Sequence, residues 1–151
     1  MLARFVNNVP SMKRILVALD HSSRAPVVLT AARRMAELSG SQLVLYRAVN
    51  PTAPIPVELL VDTEAEDLLI RDARCDLERL AADLPQSIIE QITTHFAVAA
   101  DGICSTAKDQ DVDLIVIGSH GYGGLDRLLG TTAAKVVNHA DRNVLVVRTV
   151  L

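Results

Sequence analysis

The sequence predicts an α/β domain, a doubly wound parallel sheet of five strands with helices on both faces. Short, largely apolar runs at Ile15-Leu16-Val17-Ala18-Leu19, Leu43–Val49, Leu114–Ile117 and Val144–Val147 carry the signature of parallel strands buried on both faces. Segments of helical spacing lie between them. Half of the chain is hydrophobic, and glycine supplies only 7 of 151 residues, which is scarce for an all-β protein. A single domain of this length buries roughly two thirds of the surface its unfolded chain exposes, so no disulfide or metal is needed to hold it together.

Residues 1–12 read as an N-terminal extension and residues 13–151 as the domain, with Met12 as natural a translation start as Met1. The first strand runs from Lys13 to a polar end at Asp20. His21-Ser22-Ser23 then offers an N-cap, Pro26 falls in the first helical turn, and Leu29, Ala32, Ala36 and Leu38 recur near helical spacing up to Gly40. The second strand leaves through Asn50-Pro51-Thr52-Ala53-Pro54-Ile55-Pro56, whose prolines exclude helix. Thr63 and Glu66 fit a capping box, and Leu69, Ala73, Leu77, Leu80 and Leu84 form an apolar stripe ending at Leu84-Pro85. The opposite face, with Glu64, Asp67, Asp72, Asp76, Glu78 and Asp83, reads as solvated. Ile92, Thr94, Phe96 and Val98 alternate as a third strand, and Asp101-Gly102 to Gln110 makes a short helix. After a fourth strand at Leu114–Gly118, Thr131 to Ala140 returns to helix with Val136, Val137 and Ala140 inward, and the run from Val144 is the fifth strand.

Several function classes are disfavoured. With a net charge of -3 and no basic block longer than Arg33-Arg34, nucleic acid is a poor partner. Cys75 and Cys104 show no C-x-x-C spacing and read as reduced, half-buried packing residues. No apolar run approaches the ~20 residues of a membrane span, and the first eight residues break off too early for a signal-peptide core, so the expected location is cytoplasmic, without membrane insertion. His21, His95, His120 and His139 have no metal-ligand spacing and read as surface or packing residues.

A doubly wound sheet binds ligands outside the carboxyl ends of its strands, where strand order reverses. Two segments reach that edge with chemistry: Leu19-Asp20-His21-Ser22 and Gly118-Ser119-His120-Gly121-Tyr122-Gly123-Gly124. The latter continues through Leu125 to Leu129 into Gly130-Thr131-Thr132, so glycines and a helix start outline a phosphate cradle. Glycine lets backbone N–H groups approach an anion, and the helix adds free N–H groups and its dipole. A tight loop with an ordinary helix cap has the same outline, and spacing does not choose between them. The stretch has neither the lysine of G-x-x-x-x-G-K-[ST] nor a G-x-G-x-x-G, so a P-loop motor and a dinucleotide fingerprint are both unsupported. Without that lysine, a triphosphate would rest on amides, hydroxyls and a divalent ion, which suits holding a nucleotide better than hydrolysing it fast. Asp20 is placed to accept hydrogen bonds from a ribose or adenine group, or else to cap the next helix.

Lys13-Arg14-Ile15-Leu16-Val17-Ala18-Leu19-Asp20, Asp113-Leu114-Ile115-Val116-Ile117-Gly118-Ser119-His120-Gly121, and Leu128-Leu129-Gly130-Thr131 leading to Val144-Leu145-Val146-Val147-Arg148 resemble the universal stress protein A family. The resemblance spans Lys13 to Arg148. It implies strand order 3-2-1-4-5 in an adenine nucleotide alpha hydrolase-like fold, and a homodimer through Val144, Leu145, Val146 and Val147. In one branch it implies an ATP site with the pattern G-2x-G-9x-G-[ST]. Gly118, Gly121, Gly130 and Thr131 line up with that pattern, but Tyr122 to Leu129 is eight residues, one fewer than it requires. A shorter loop either absorbs the deletion or misplaces Gly121, and spacing leaves both open.

Carried over by position, the resemblance places Asp20, with Ala18 and Leu19 beside it, at the ribose or base, and the backbone of Ala48 at the adenine. Gly118 and Gly121 fall at the ribose and phosphates, Gly130, Thr131 and Thr132 at the phosphates, and His120 at the motif's usual histidine. ATP, or AMP or ADP, is the implied ligand, with Mg2+ or Mn2+ arriving through the phosphates. Where the family often has G-x-P before the third helix, this chain has Ala97-Val98-Ala99.

The leading expectation is a dimeric, nucleotide-binding stress or regulatory module whose nucleotide state alters contact with a protein partner the sequence does not name. A second is a slow ATPase or self-phosphorylating protein with Ser119, Thr131 or Thr132 as acceptor, against which stands the lack of an evident general base. The short glycine interval suggests a third, a nucleotide-free dimeric interaction protein. A hydrolase built on Ser119, His120 and Asp20 is disfavoured, because adjacent residues rarely face each other as nucleophile and base and G-x-S-x-G is missing.

Overall fold

The computed structural model describes residues 11–50, 63–119 and 129–148. Strands β1 (Arg14–Ala18), β2 (Gln42–Val49), β3 (Ile89–Phe96), β4 (Leu114–Gly118) and β5 (Asn143–Val147) form one parallel sheet in the order β3-β2-β1-β4-β5. Helices α1 (Ala25–Ser39), α2 (Thr63–Leu80), α3 (Ala99–Asp109) and α4 (Thr131–His139) connect them. The predicted fold class, element sequence and strand order are all present.

Alternate residues of each central strand face opposite layers. Ile15, Val17, Leu43, Leu45, Leu114 and Val116 pack with Val28, Leu29 and Ala32 of α1 and Leu77 of α2. Leu16, Ala18, Val44, Tyr46, Ile115 and Ile117 pack with Ala100, Ile103 and Ala107 of α3 and Ala133 and Val136 of α4. The sheet is therefore covered on both sides, which explains why the central strands β1 and β4 read as unbroken apolar runs. The amino ends of β1 and β4 are stitched by Asp113, whose carboxylate Oδ2 accepts from the amides of Lys13 (2.7 Å) and Arg14 (3.0 Å). Those bonds hold the Asp113 carboxyl below its ordinary value.

Several local expectations are corrected. The N-cap of α1 is Arg24, with no side-chain cap bond, rather than a residue of His21-Ser22-Ser23. Pro26 does lie in the first turn, and Gly40, at φ 70°, ends the helix in the left-handed region that glycine favours. Leu38 is 86% exposed and Val137 45% exposed, because the buried stripes of α1 and α4 centre on Ala32 and Val136. On α2, Leu69 is exposed, while Ala73 and Leu77 carry the buried face. This helix stops at Leu80, and the chain turns from there to Leu84. Val98 lies beyond β3 as the exposed N-cap of α3, which starts two residues before Asp101. Cys75 is exposed and Cys104 intermediate, so only the latter matches a half-buried packing residue.

Candidate functional site

Strand order reverses between β1 and β4, which pair in register with Ala18 opposite Ile117. β1 leads into α1 on one face, while the chain reaches β4 from α3 on the other. This is the crevice where a doubly wound sheet leaves its carboxyl edge open. Ala18, Leu19, Asp20, Gly118, Gly130, Thr131 and Thr132 lie along it or at the helix beside it, and Ala48 lies near the end of β2. His120 and Gly121 fall outside the described residues.

The side chains of Ala18 and Leu19 are buried in opposite core layers, so only their backbone could face a ligand. The amide of Leu19 donates to the Tyr46 carbonyl at 2.9 Å and is already committed. Asp20 is exposed, and its Oδ1 accepts from both the amide (2.9 Å) and the hydroxyl (2.6 Å) of Ser22. The carboxylate thus orders the turn leading to α1 instead of capping the helix. Ala48 is half-buried and pairs with His95 of β3.

On the other side, Gly118 closes β4 opposite Val147. A Cβ there would come within 3.1 Å of Val28 Cγ2, so close packing of α1 against the strand end is itself a reason for glycine. Ser119 is buried; its amide donates to the Val147 carbonyl (2.9 Å) and its carbonyl accepts from the Gly130 amide (3.0 Å). The glycine loop therefore departs and returns at one point. Gly130, the N-cap of α4, has φ -60°, a conformation open to any residue, so the glycine is not required by backbone strain. No side chain caps α4, Thr131 is exposed and Thr132 half-buried, which leaves the first-turn amides and two hydroxyls at the edge of the sheet.

Arg47 was not singled out by the sequence. It stands on the face of β2 that buries Leu43 and Leu45, is only 4% exposed, and reaches across to the end of β1. Its Nε donates to the Leu19 carbonyl (3.0 Å) and its Nη2 to the Asp20 carbonyl (2.8 Å). Nη1 lies 3.2 Å from His21 Nδ1 and 3.6 Å from Asp76 Oδ2 of α2. Burial pulls the guanidinium below its ordinary value, against the opposing charges of Asp76 and Asp20. The one available signal was a lone arginine inside an apolar strand, which needs partners wherever it is buried.

His21, His95 and His139 are exposed, His139 with Nδ1 2.7 Å from the Lys135 carbonyl of its own helix. Among the described residues, no group of three His, Cys, Asp or Glu could hold a metal ion, and no helix is long and apolar enough to cross a membrane.

The universal stress protein family matches residues 12–148. A relative in Coxiella burnetii, universal stress protein A homolog 2, is 34% identical over 140 residues, covering 90% of this chain and 94% of its own. The solved universal stress protein MJ0577 of Methanocaldococcus jannaschii superposes with a TM-score of 0.79 at 24% identity, covering 93% of this chain and 99% of its own. A universal stress protein solved in complex with cAMP superposes with a TM-score of 0.61 at 22% identity, covering 93% and 99%. At such identities these two structures speak to the fold.

Proposed function

The chain belongs to the universal stress protein family, and from that premise we propose that it is an adenine-nucleotide-binding module, with ATP as ligand. The observation that carries the reading is the pairing, across the strand-order reversal, of the Asp20 turn after β1 with the uncapped start of α4 after β4. One end offers a carboxylate for ribose hydroxyls or the base; the other offers amides and the Thr131 and Thr132 hydroxyls for phosphates. A family member in complex with cAMP supports the choice of an adenine nucleotide. Gly118, with His120 and Gly121 beyond the described residues, completes the proposed site, with the Ala48 backbone beside the base and Ala18 and Leu19 flooring it. Mg2+ or Mn2+ would be held through the phosphates.

In this reading the protein works as a cytoplasmic homodimer. β5 is an edge strand whose Val144, Leu145, Val146 and Val147 remain only half-buried, an apolar edge suited to a second copy. Nucleotide state would then bias contact with a protein partner. The eight-residue interval between Gly121 and Gly130 favours one other reading, a dimer that has lost nucleotide.

The test is to denature freshly purified protein, identify released nucleotide by chromatography and mass, and titrate ATP with magnesium into the emptied protein by calorimetry. Adenine nucleotide near one per chain, or micromolar binding, is the expected result. No nucleotide and no heat would overturn the reading in favour of the nucleotide-free dimer.

A further inference from the structure

We propose that Arg47 is a positioning residue for this site, setting the β1–α1 turn from behind so that Asp20 is presented to the ligand in one conformation. The inference rests on the nucleotide-binding reading above.

A guanidinium with 4% exposure is costly unless its donors are met by well-placed acceptors. Here the acceptors are two successive carbonyls, Leu19 and Asp20, at 3.0 and 2.8 Å, both just beyond the last residue of β1. Arginine suits this task because its planar fork fixes two acceptors at once, whereas a lysine ammonium would act as a single point. Pinning consecutive carbonyls fixes the peptide planes on both sides of Asp20, and with them the direction of its Cα–Cβ bond. The carboxylate is then set a second time, by the Ser22 amide and hydroxyl. Both of those bonds fall on Oδ1, so Ser22 does not engage Oδ2.

The guanidinium is itself steadied by α2. Asp76 Oδ2 lies 3.6 Å from Arg47 Nη1 and 3.5 Å from His21 Nδ1, and its Oδ1 accepts from Arg79 Nη1 at 2.9 Å. One acidic residue on a helix face that otherwise reads as solvated therefore reaches, through Arg47, the strand end that carries the candidate ligand-binding carboxylate. The arginine acts through the backbone carbonyls of residues 19 and 20.

The test compares ATP affinity, measured by calorimetry with magnesium, in the wild-type chain and in the variants Arg47→Met, Asp20→Ala and the two combined. Arg47→Met keeps the length and apolar packing of the side chain while removing both carbonyl bonds. It is expected to weaken ATP by at least ~10-fold, the scale of about one lost charged hydrogen bond. Because Arg47 acts through Asp20, the double variant should bind no worse than Asp20→Ala alone. Wild-type protein should also prefer ATP over 2′,3′-dideoxy-ATP, and Arg47→Met should erase that preference, which a loss of stability alone would not do. Unchanged affinity in Arg47→Met, or a fully additive double variant, would overturn the positioning role while leaving nucleotide binding intact. Failure of the wild-type chain to bind any nucleotide would instead overturn the functional reading, and this inference with it. Should Arg47→Met not fold, Arg47→Lys decides: partial loss of affinity together with partial loss of hydroxyl preference supports the role, and full retention of both overturns it.

Discussion

Replacing Gly102 with alanine sets two effects of similar size against each other, and Tyr46 decides the sign. Gly102 lies in the first turns of α3, where alanine is favoured over glycine by about 1 kcal/mol. A Cβ there, however, would overlap Tyr46 Oη, with Ala97 Cβ at 3.1 Å and the ring Cζ at 3.3 Å. Tyr46 has no exposed surface, so the ring cannot swing away without disturbing the core between β2 and α3, a cost of about 1–3 kcal/mol. The net expectation for Gly102→Ala is a loss of up to about 2 kcal/mol, or a fall in Tm of ~2–4 °C for each kcal/mol. The hydroxyl that causes the clash is buried without a hydrogen bond of good geometry, and burial pushes its ionisation upward, opposed by the nearby Thr106 hydroxyl. Tyr46→Phe alone should therefore stay within about 1 kcal/mol of the wild type. In that background only the two contacts above 3 Å remain, each needing a few tenths of an ångström, and Gly102→Ala should become neutral or favourable. Urea titrations of the four proteins give the coupling directly, expected at about 1–3 kcal/mol. Equal destabilisation by Gly102→Ala with and without the tyrosine hydroxyl would refute the steric account.

Two other perturbations address the sheet. Asp113→Ala removes the acceptor shared by the Lys13 and Arg14 amides and should cost about 1–2 kcal/mol at pH 7. The folded-state pKa of Asp113 is depressed, so its contribution is full above the unfolded value near 3.8 and fades as pH falls through the lower folded value. Wild-type and variant denaturation midpoints should thus draw together as pH falls below about 3.8, and a gap that does not shrink on acidification would contradict the carboxylate's role. At the open edge, Val146→Asp should give a 16.3 kDa monomer in sedimentation velocity if β5 is the dimer seam; an unaltered dimer would move the interface elsewhere.

The parts of the fold that were legible are those where burial on two sides leaves no room for polar residues. Ile15–Leu19 and Leu114–Ile117 could be read as strands without knowing their neighbours, since both faces are covered by helices. Helix faces were less legible: Leu38 and Val137 fit the spacing, but the sheet accepts only a narrow stripe of α1, centred on Val28, Leu29 and Ala32, and one turn of α4, so both side chains face outward. At the site, Asp20 and the start of α4 stood out because a polar residue at the end of an apolar run and a Gly-Thr helix start are local features. Arg47 did not, because its meaning depends on Asp76, 29 positions later, and on the Leu19 carbonyl, 28 positions earlier. Gly118 was legible as a residue without a side chain, but its packing against Val28 becomes apparent only once α1 lies over the end of β4.

The hydrogen bond from the Gly130 amide to the Ser119 carbonyl works as a drawstring at the mouth of the ten intervening residues. Changing the length of that segment leaves this contact between the end of β4 and the start of α4 available, and the entropic cost of closure grows only slowly with length. A residue lost between Gly121 and Gly130 becomes a question of ligand fit, separable from stability: variants that restore the ninth residue should melt like the parent while their nucleotide affinities diverge.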